Sequence, residues 1–136
     1  MPTILALVVM ISWGGPAIAS EKCPVNDTDP EKAGSYVKAV EAAVLNAPNC
    51  ERAYRILEAC QLGSTADNTL ADMVQSECER MFMDKADAAV KKAYKRAQVR
   101  CERIAERNSG TMYQSFAAVC LARAARDFAR KYSSAK

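Results

Sequence analysis

Cysteine and arginine are the residues in this chain whose types and spacing suggest chemistry. Cys23, Cys50, Cys60, Cys78, Cys101 and Cys120 form an even set with no Cys-x-x-Cys pair, and the chain contains no histidine. Scattered, even-numbered cysteines point to three disulfides and an oxidising compartment. A structural zinc site would need closely spaced Cys and His ligands, so no metal is expected. The second set is Lys92, Arg96, Arg100, Arg103 and Arg107, which recur at steps of three and four. That is the spacing of a cationic stripe on a helix, suited to holding an anion.

Catalysis is not indicated. Without histidine the chain lacks the usual base near neutral pH, which excludes Ser/His/Asp and Cys/His arrangements. Oxidised cysteines supply no thiolate. The five glycines are scattered and form no phosphate-binding loop. The carboxylate pairs Asp84/Asp87 and Glu102/Glu106 stand at helical spacing, and Glu102 and Glu106 fall opposite the apolar stripe, where charges are solvated. Met73, Met81 and Met83 also stand at helical spacing and read as core. The expectation is a binding protein with no enzymatic activity and no cofactor.

The elements that position these residues are helical. Ala86, Val90, Ala93, Ala97, Cys101 and Ile104 follow helical steps and, at about 100° per residue, fall within roughly 80° of one another. The basic stripe is offset from them by about 100° on the same arithmetic. Asn108-Ser109-Gly110 carries helix-stop chemistry, and Thr111 with Gln114 has capping-box spacing for a returning helix. On that helix Tyr113, Phe116, Cys120, Ala124 and Phe128 continue with helical spacing. Upstream, Asp29 reads as a cap with Pro30 in the first turn, opening a helix whose face is Ala33, Tyr36, Val37, Val40 and Val44. Asn46-Ala47-Pro48 ends it. Asn49 caps the next, with Ala53, Ile56, Leu57 and Cys60 inward, and Gly63 stops it. Thr65 or Asp67 opens a third, with Leu70, Met73, Val74, Cys78, Met81 and Phe82 inward. The apolar face changes phase near Asp84, which predicts a break. No segment alternates with period two, so no sheet is expected. The fold class is all-α: a small disulfide-stabilised bundle of four or five helices with helical hairpins.

Helix heights select disulfide partners from the many connectivities that six cysteines allow. Cys101 and Cys120 stand at similar distances from the Asn108–Thr111 turn, so an antiparallel hairpin brings them level. Cys50 and Cys78 bear the same relation to Gly63. Cys23 and Cys60 remain, by elimination.

Residues 1–19 carry no charged side chain, with an apolar core from Leu5 to Ile11 and Ala17-Ile18-Ala19 before Ser20. This reads as a signal peptide, too short and too interrupted by Gly14-Gly15-Pro16 to span a bilayer, so no transmembrane helix is expected in the mature chain. Residues 20–28 then form an N-terminal arm, and residues 29–136 a single helical domain. Localisation is expected to be periplasmic or secreted. The net charge of +3 is uneven. Residues 20–80 hold six basic and eleven acidic side chains, a balance of −5, and residues 81–136 hold thirteen and five, a balance of +8. The basic half favours an anionic envelope polymer, anionic lipid headgroups or an acidic protein face, and export disfavours nucleic acid.

Asp87-Ala-Ala-Val90-Lys91-Lys92-Ala93-Tyr94 resembles the Asp-x-x-Leu-Asn-x-x-Tyr signature of the LprI-type lysozyme-inhibitor family, small cysteine-containing helical proteins exported by bacteria. Gly110-Thr-Met-Tyr113-Gln-Ser-Phe116-Ala-Ala-Val-Cys120 is similar to the ending of some secreted relatives. Val90 stands where the family has Leu, and Lys91 where it has Asn. The resemblance covers about residues 78–132 and implies binding to a lysozyme. Many lysozymes are cationic, so only the acidic half suits that partner electrostatically.

Overall fold

Helix-compatible sequence between short Gly, Pro and Asn breaks produces six helices in the computed structural model, which describes residues 21–133. The expected signal peptide, residues 1–19, lies outside the described residues. The helices are α1 (Asp29–Ala33), α2 (Tyr36–Leu45), α3 (Cys50–Cys60), α4 (Ala66–Glu79), α5 (Ala88–Arg107) and α6 (Thr111–Tyr132). The expected first helix is divided. Gly34 takes φ 89°, a left-handed conformation that ends α1 after five residues, and Ser35 caps α2 by accepting from the Lys38 N–H. Asp29 is not the cap. It lies inside α1, and its carboxylate accepts from the Asn26 N–H at 2.8 Å.

Asn49 caps α3 as expected, accepting from the Arg52 N–H at 2.9 Å. The phase change near Asp84 is a stretch of turns between Arg80 and Lys85, after which Asp87 caps α5 by accepting from the Val90 N–H at 2.8 Å. The capping box at Thr111 does not form. Gly110, at φ 114°, occupies the N-cap, and Thr111 is the first helical residue. A residue at that positive φ is readily glycine and costly as anything else.

One apolar cluster runs through the molecule from Val40 and Val44 of α2 to Ala129 of α6. Helices α4 and α6 form its spine, with α2 and α3 packed to one side and α5 laid along α6. The buried face of α6 is Ser115, Val119, Ala122, Ala125 and Ala129. Small side chains there let its backbone approach Leu70, Ala71, Val74 and Cys78 of α4 closely. The residues that continue the helical spacing are only partly covered: Tyr113, Cys120, Ala124 and Phe128 are half-buried, and Phe116 is exposed. Met81 is likewise exposed, because it falls in the turn after α4, while Phe82 turns inward.

Alanine buries little area, so a core this rich in alanine gains from covalent ties. Cys23 pairs with Cys60, Cys50 with Cys78, and Cys101 with Cys120, at sulfur–sulfur distances of 2.04, 1.98 and 2.02 Å. These are the pairs that the helix heights select. The first pins the N-terminal arm to the end of α3, the second joins α3 to α4, and the third joins α5 to α6. Three disulfides fit an oxidising compartment. Among the described residues no helix is long and apolar enough to cross a membrane.

Candidate binding site: the basic face of the fifth helix

Helix α5 touches the rest of the bundle along one side only. Ala97 and Cys101 are buried against α6, while Val90, Ala93 and Ile104 are half-buried around them. At the start of the helix Tyr94 enters a cluster of rings. It lies edge-on to Phe82 at 5.1 Å and beside Phe128 at 5.1 Å, and its hydroxyl donates to Glu79 Oε1 at 2.6 Å. Burial, then the Glu79 carboxylate, pushes the Tyr94 phenol well above its ordinary range, so it stays a neutral donor.

Helical periodicity then sends the rest of the surface into water. Lys92, Arg96, Arg100, Arg103 and Arg107 are all exposed. Among the described residues none of the five forms a salt bridge; the ion pairs lie elsewhere. The stripe is self-repelling, because Lys92/Arg96, Arg96/Arg100 and Arg103/Arg107 are like charges one turn apart. From Lys92 to Arg107 it extends about 22 Å at about 1.5 Å per residue. Near its end Arg100, Arg103, Ile104, Arg107 and Asn108 line a shallow depression of about 370 Å³. On the other flank Arg100 meets Arg123 across the groove between α5 and α6, above the Cys101–Cys120 bridge.

The arginines of α6 behave differently. Arg123 donates to the Tyr54 hydroxyl at 2.7 Å, and that hydroxyl donates to Glu58 at 3.0 Å. Arg126 lies over the Tyr54 ring at 4.2 Å and reaches Glu51 at 3.7 Å. Arg130 grips both Glu51 oxygens at 2.9 and 2.7 Å. Burial pushes the Glu51 carboxyl up, but Arg130, Arg126 and Arg55 together outweigh it and hold the group below its ordinary value. Burial raises the Tyr54 phenol, with Arg123 opposing. This row is therefore a tether between α6 and α3. Sequence reasoning missed it, although Glu51, Tyr54 and Glu58 share one face of α3 and the three arginines repeat at steps of three and four.

A second unforeseen feature is Asp67. Instead of capping α4 it is fully buried inside its first turn. Its Oδ2 accepts from the N–H groups of Leu62, Gly63 and Ser64 and from the Ser115 hydroxyl, the last at 2.6 Å. The carboxylate thus fastens the α3–α4 loop onto the start of α6. A buried carboxylate persists only with such a full set of donors.

The positions that resemble the lysozyme-inhibitor signature have internal tasks: Asp87 caps α5, Val90 packs on the core, and Tyr94 joins the ring cluster. Lys91 and Asp87 are exposed, and Lys91 alone has no such task. The acidic half presents fewer free carboxylates than its charge suggests, since Glu21, Glu41, Glu51, Glu58 and Glu77 are ion-paired and Asp67 is buried. Among the described residues no group of three or more His, Cys, Asp or Glu side chains is placed to hold a metal ion. No family model, no curated protein and no solved structure matches the chain.

Proposed function

We propose that this is an exported, periplasmic or secreted, non-enzymatic binding protein that engages an anionic partner of the cell envelope through the basic face of α5. The observation that carries the reading is the contrast within one hairpin. The α6 arginines are consumed by α3, whereas Lys92, Arg96, Arg100, Arg103 and Arg107 form a self-repelling exposed row with no salt-bridge partner among the described residues. Such a row raises the free energy of the free protein and lowers it when an anion arrives.

The experiment is retention of the oxidised protein on an immobilised sulfated polysaccharide, eluted with salt. Retention should fall steeply with ionic strength, and R96E/R103E should elute at far lower salt. Equal elution of that variant and the wild type would reject the stripe.

The lysozyme-inhibitor reading is the weaker one, because Val90 and Tyr94 are packed into the fold and the Asp87 carboxylate is spent on capping α5. It is tested by assaying lysozyme on a cell-wall substrate with oxidised and with reduced, alkylated protein. Inhibition that is lost on reduction would displace the anionic partner in favour of lysozyme.

A further inference from the structure

We infer that the anionic partner is a phospholipid bilayer, met edge-on by the tip of the α5–α6 hairpin. This rests on the basic-face reading and adds an apolar component to it. Three large apolar side chains stand exposed at this end of the molecule: Leu62 at 56%, Met112 at 46% and Phe116 at 43%. Met112 and Phe116 are one turn apart on α6 and share a face. Gly63 lies against Met112, since a Cβ placed on it would be 3.9 Å from Met112 Cγ, and exposed Leu62 is the preceding residue of that loop. The patch has a firm base: Tyr113 packs edge-on to Phe116, and the Asp67–Ser115 hydrogen bond clamps the Leu62–Ser64 loop to α6.

The patch and the stripe are neighbours. The Cys101–Cys120 bridge sets α5 and α6 level at that point. Counting equally from it along the two antiparallel helices places Phe116 level with Ala105, between Arg103 and Arg107, and Met112 beside the turn. The side is the same too. Arg100 and Arg123 line one groove, and Arg123 is two turns along α6 from Phe116, on the same face. The tip therefore carries Leu62, Met112 and Phe116 flanked by Arg100, Arg103 and Arg107.

A soluble polyanion would neutralise the arginines and leave the three apolar side chains in water. An anionic bilayer takes both: the apolar groups enter the boundary between headgroups and acyl chains while guanidinium groups hold the phosphates. No described helix is long and apolar enough to cross, so the contact is peripheral.

The test compares two probes. Oxidised protein should co-sediment with vesicles of mixed phosphatidylglycerol and phosphatidylcholine, and not with phosphatidylcholine alone. M112S/F116S, which alters side chains already half in water, should keep its thermal midpoint and its retention on the sulfated polysaccharide, yet lose vesicle affinity by about tenfold or more. Trp13, the chain's one tryptophan, falls in the expected signal peptide, so F116W in the chain from Ser20 onward carries a single reporter at the tip, and its emission should shift to the blue on anionic vesicles. Unchanged vesicle affinity in M112S/F116S, or an unshifted reporter, with polysaccharide retention intact would overturn the bilayer and leave the basic-face reading standing. Loss of both probes by the wild type would overturn both.

Discussion

Two arginine rows stand on neighbouring helices of one disulfide-closed hairpin and do opposite things. Arg123, Arg126 and Arg130 of α6 face α3, where Glu51, Tyr54 and Glu58 meet them at the same helical repeat. Arg96, Arg100, Arg103 and Arg107 of α5 face water. The residue type and the spacing are the same in both rows. The difference comes from neighbours. Helix α6 packs on α4, α5 and α3, so most of its circumference is occupied, whereas α5 is an outer helix that lies along α6 and reaches α4 through the Tyr94–Glu79 hydrogen bond. A cationic repeat on an enclosed helix becomes a tether, and the same repeat on a marginal helix is left available to a partner.

The contrast can be broken most forcefully at its covalent link. C101S/C120S frees α5 from α6 across a sequence separation of 19, which should cost about 3 kcal/mol in denaturant unfolding. Amide exchange should accelerate more in α5 than in α4. Equal acceleration in both would mean that α5 is held mainly by its ring cluster.

Removing the carboxylate that tethers the α6 row sharpens the contrast. E51A leaves Arg126, whose side chain is only 15% exposed, and Arg130 without their shared partner, and should cost about 1–2 kcal/mol. It should also raise the salt needed to elute the protein from a polyanion, because a second free row is created. The pH dependence has a definite sign. The folded Glu51 carboxyl lies below its ordinary value, so its contribution is present above an unfolded pKa near about 4.3 and is lost as pH falls through the lower folded value. E51Q should flatten that part of the acid unfolding curve.

Y54F removes the hydroxyl between Arg123 and Glu58 while keeping the ring under Arg126. A loss of about 1 kcal/mol is expected in thermal unfolding, with polyanion retention unchanged.

The smallest effect on stability is expected from the α5 row, the one proposed to bind the partner. R96E/R103E should change unfolding free energy by less than about 0.5 kcal/mol, because both side chains are exposed and make no salt bridge among the described residues. A destabilisation matching that of E51A would show that the α5 row is structural after all.

Much of the scaffold is legible in the sequence. The helical repeats of α3 and α5, the Asn49 cap, the break near Asp84 and the Cys101–Cys120 and Cys50–Cys78 pairs follow from local spacing, and Cys23–Cys60 follows by elimination. The misreadings share one cause. Asp29, Asp67 and Thr111 look like caps when only their immediate neighbours are considered. Asp67 is instead claimed by Ser115, 48 residues away, and by the loop before it. The spacing of Phe116 fits an inward position, but α6 has two contact faces, and a single periodic pattern does not say which neighbour each face meets.

The amino-acid sequence alone determined that the chain is helical, that its cysteines pair within and between hairpins, and that a cationic stripe runs along α5. These are properties of short-range geometry, where three or four residues complete a turn. Only the tertiary structure decided which arginines are neutralised, which carboxylate is buried, and that Met112 and Phe116 stand exposed beside the loop that carries Leu62. Each of those depends on which helix lies beside which, and that is settled by packing of the alanine-rich spine. Charge pairing and exposure follow from that packing, because a side chain's electrostatic partners are the groups that the neighbouring helix happens to present.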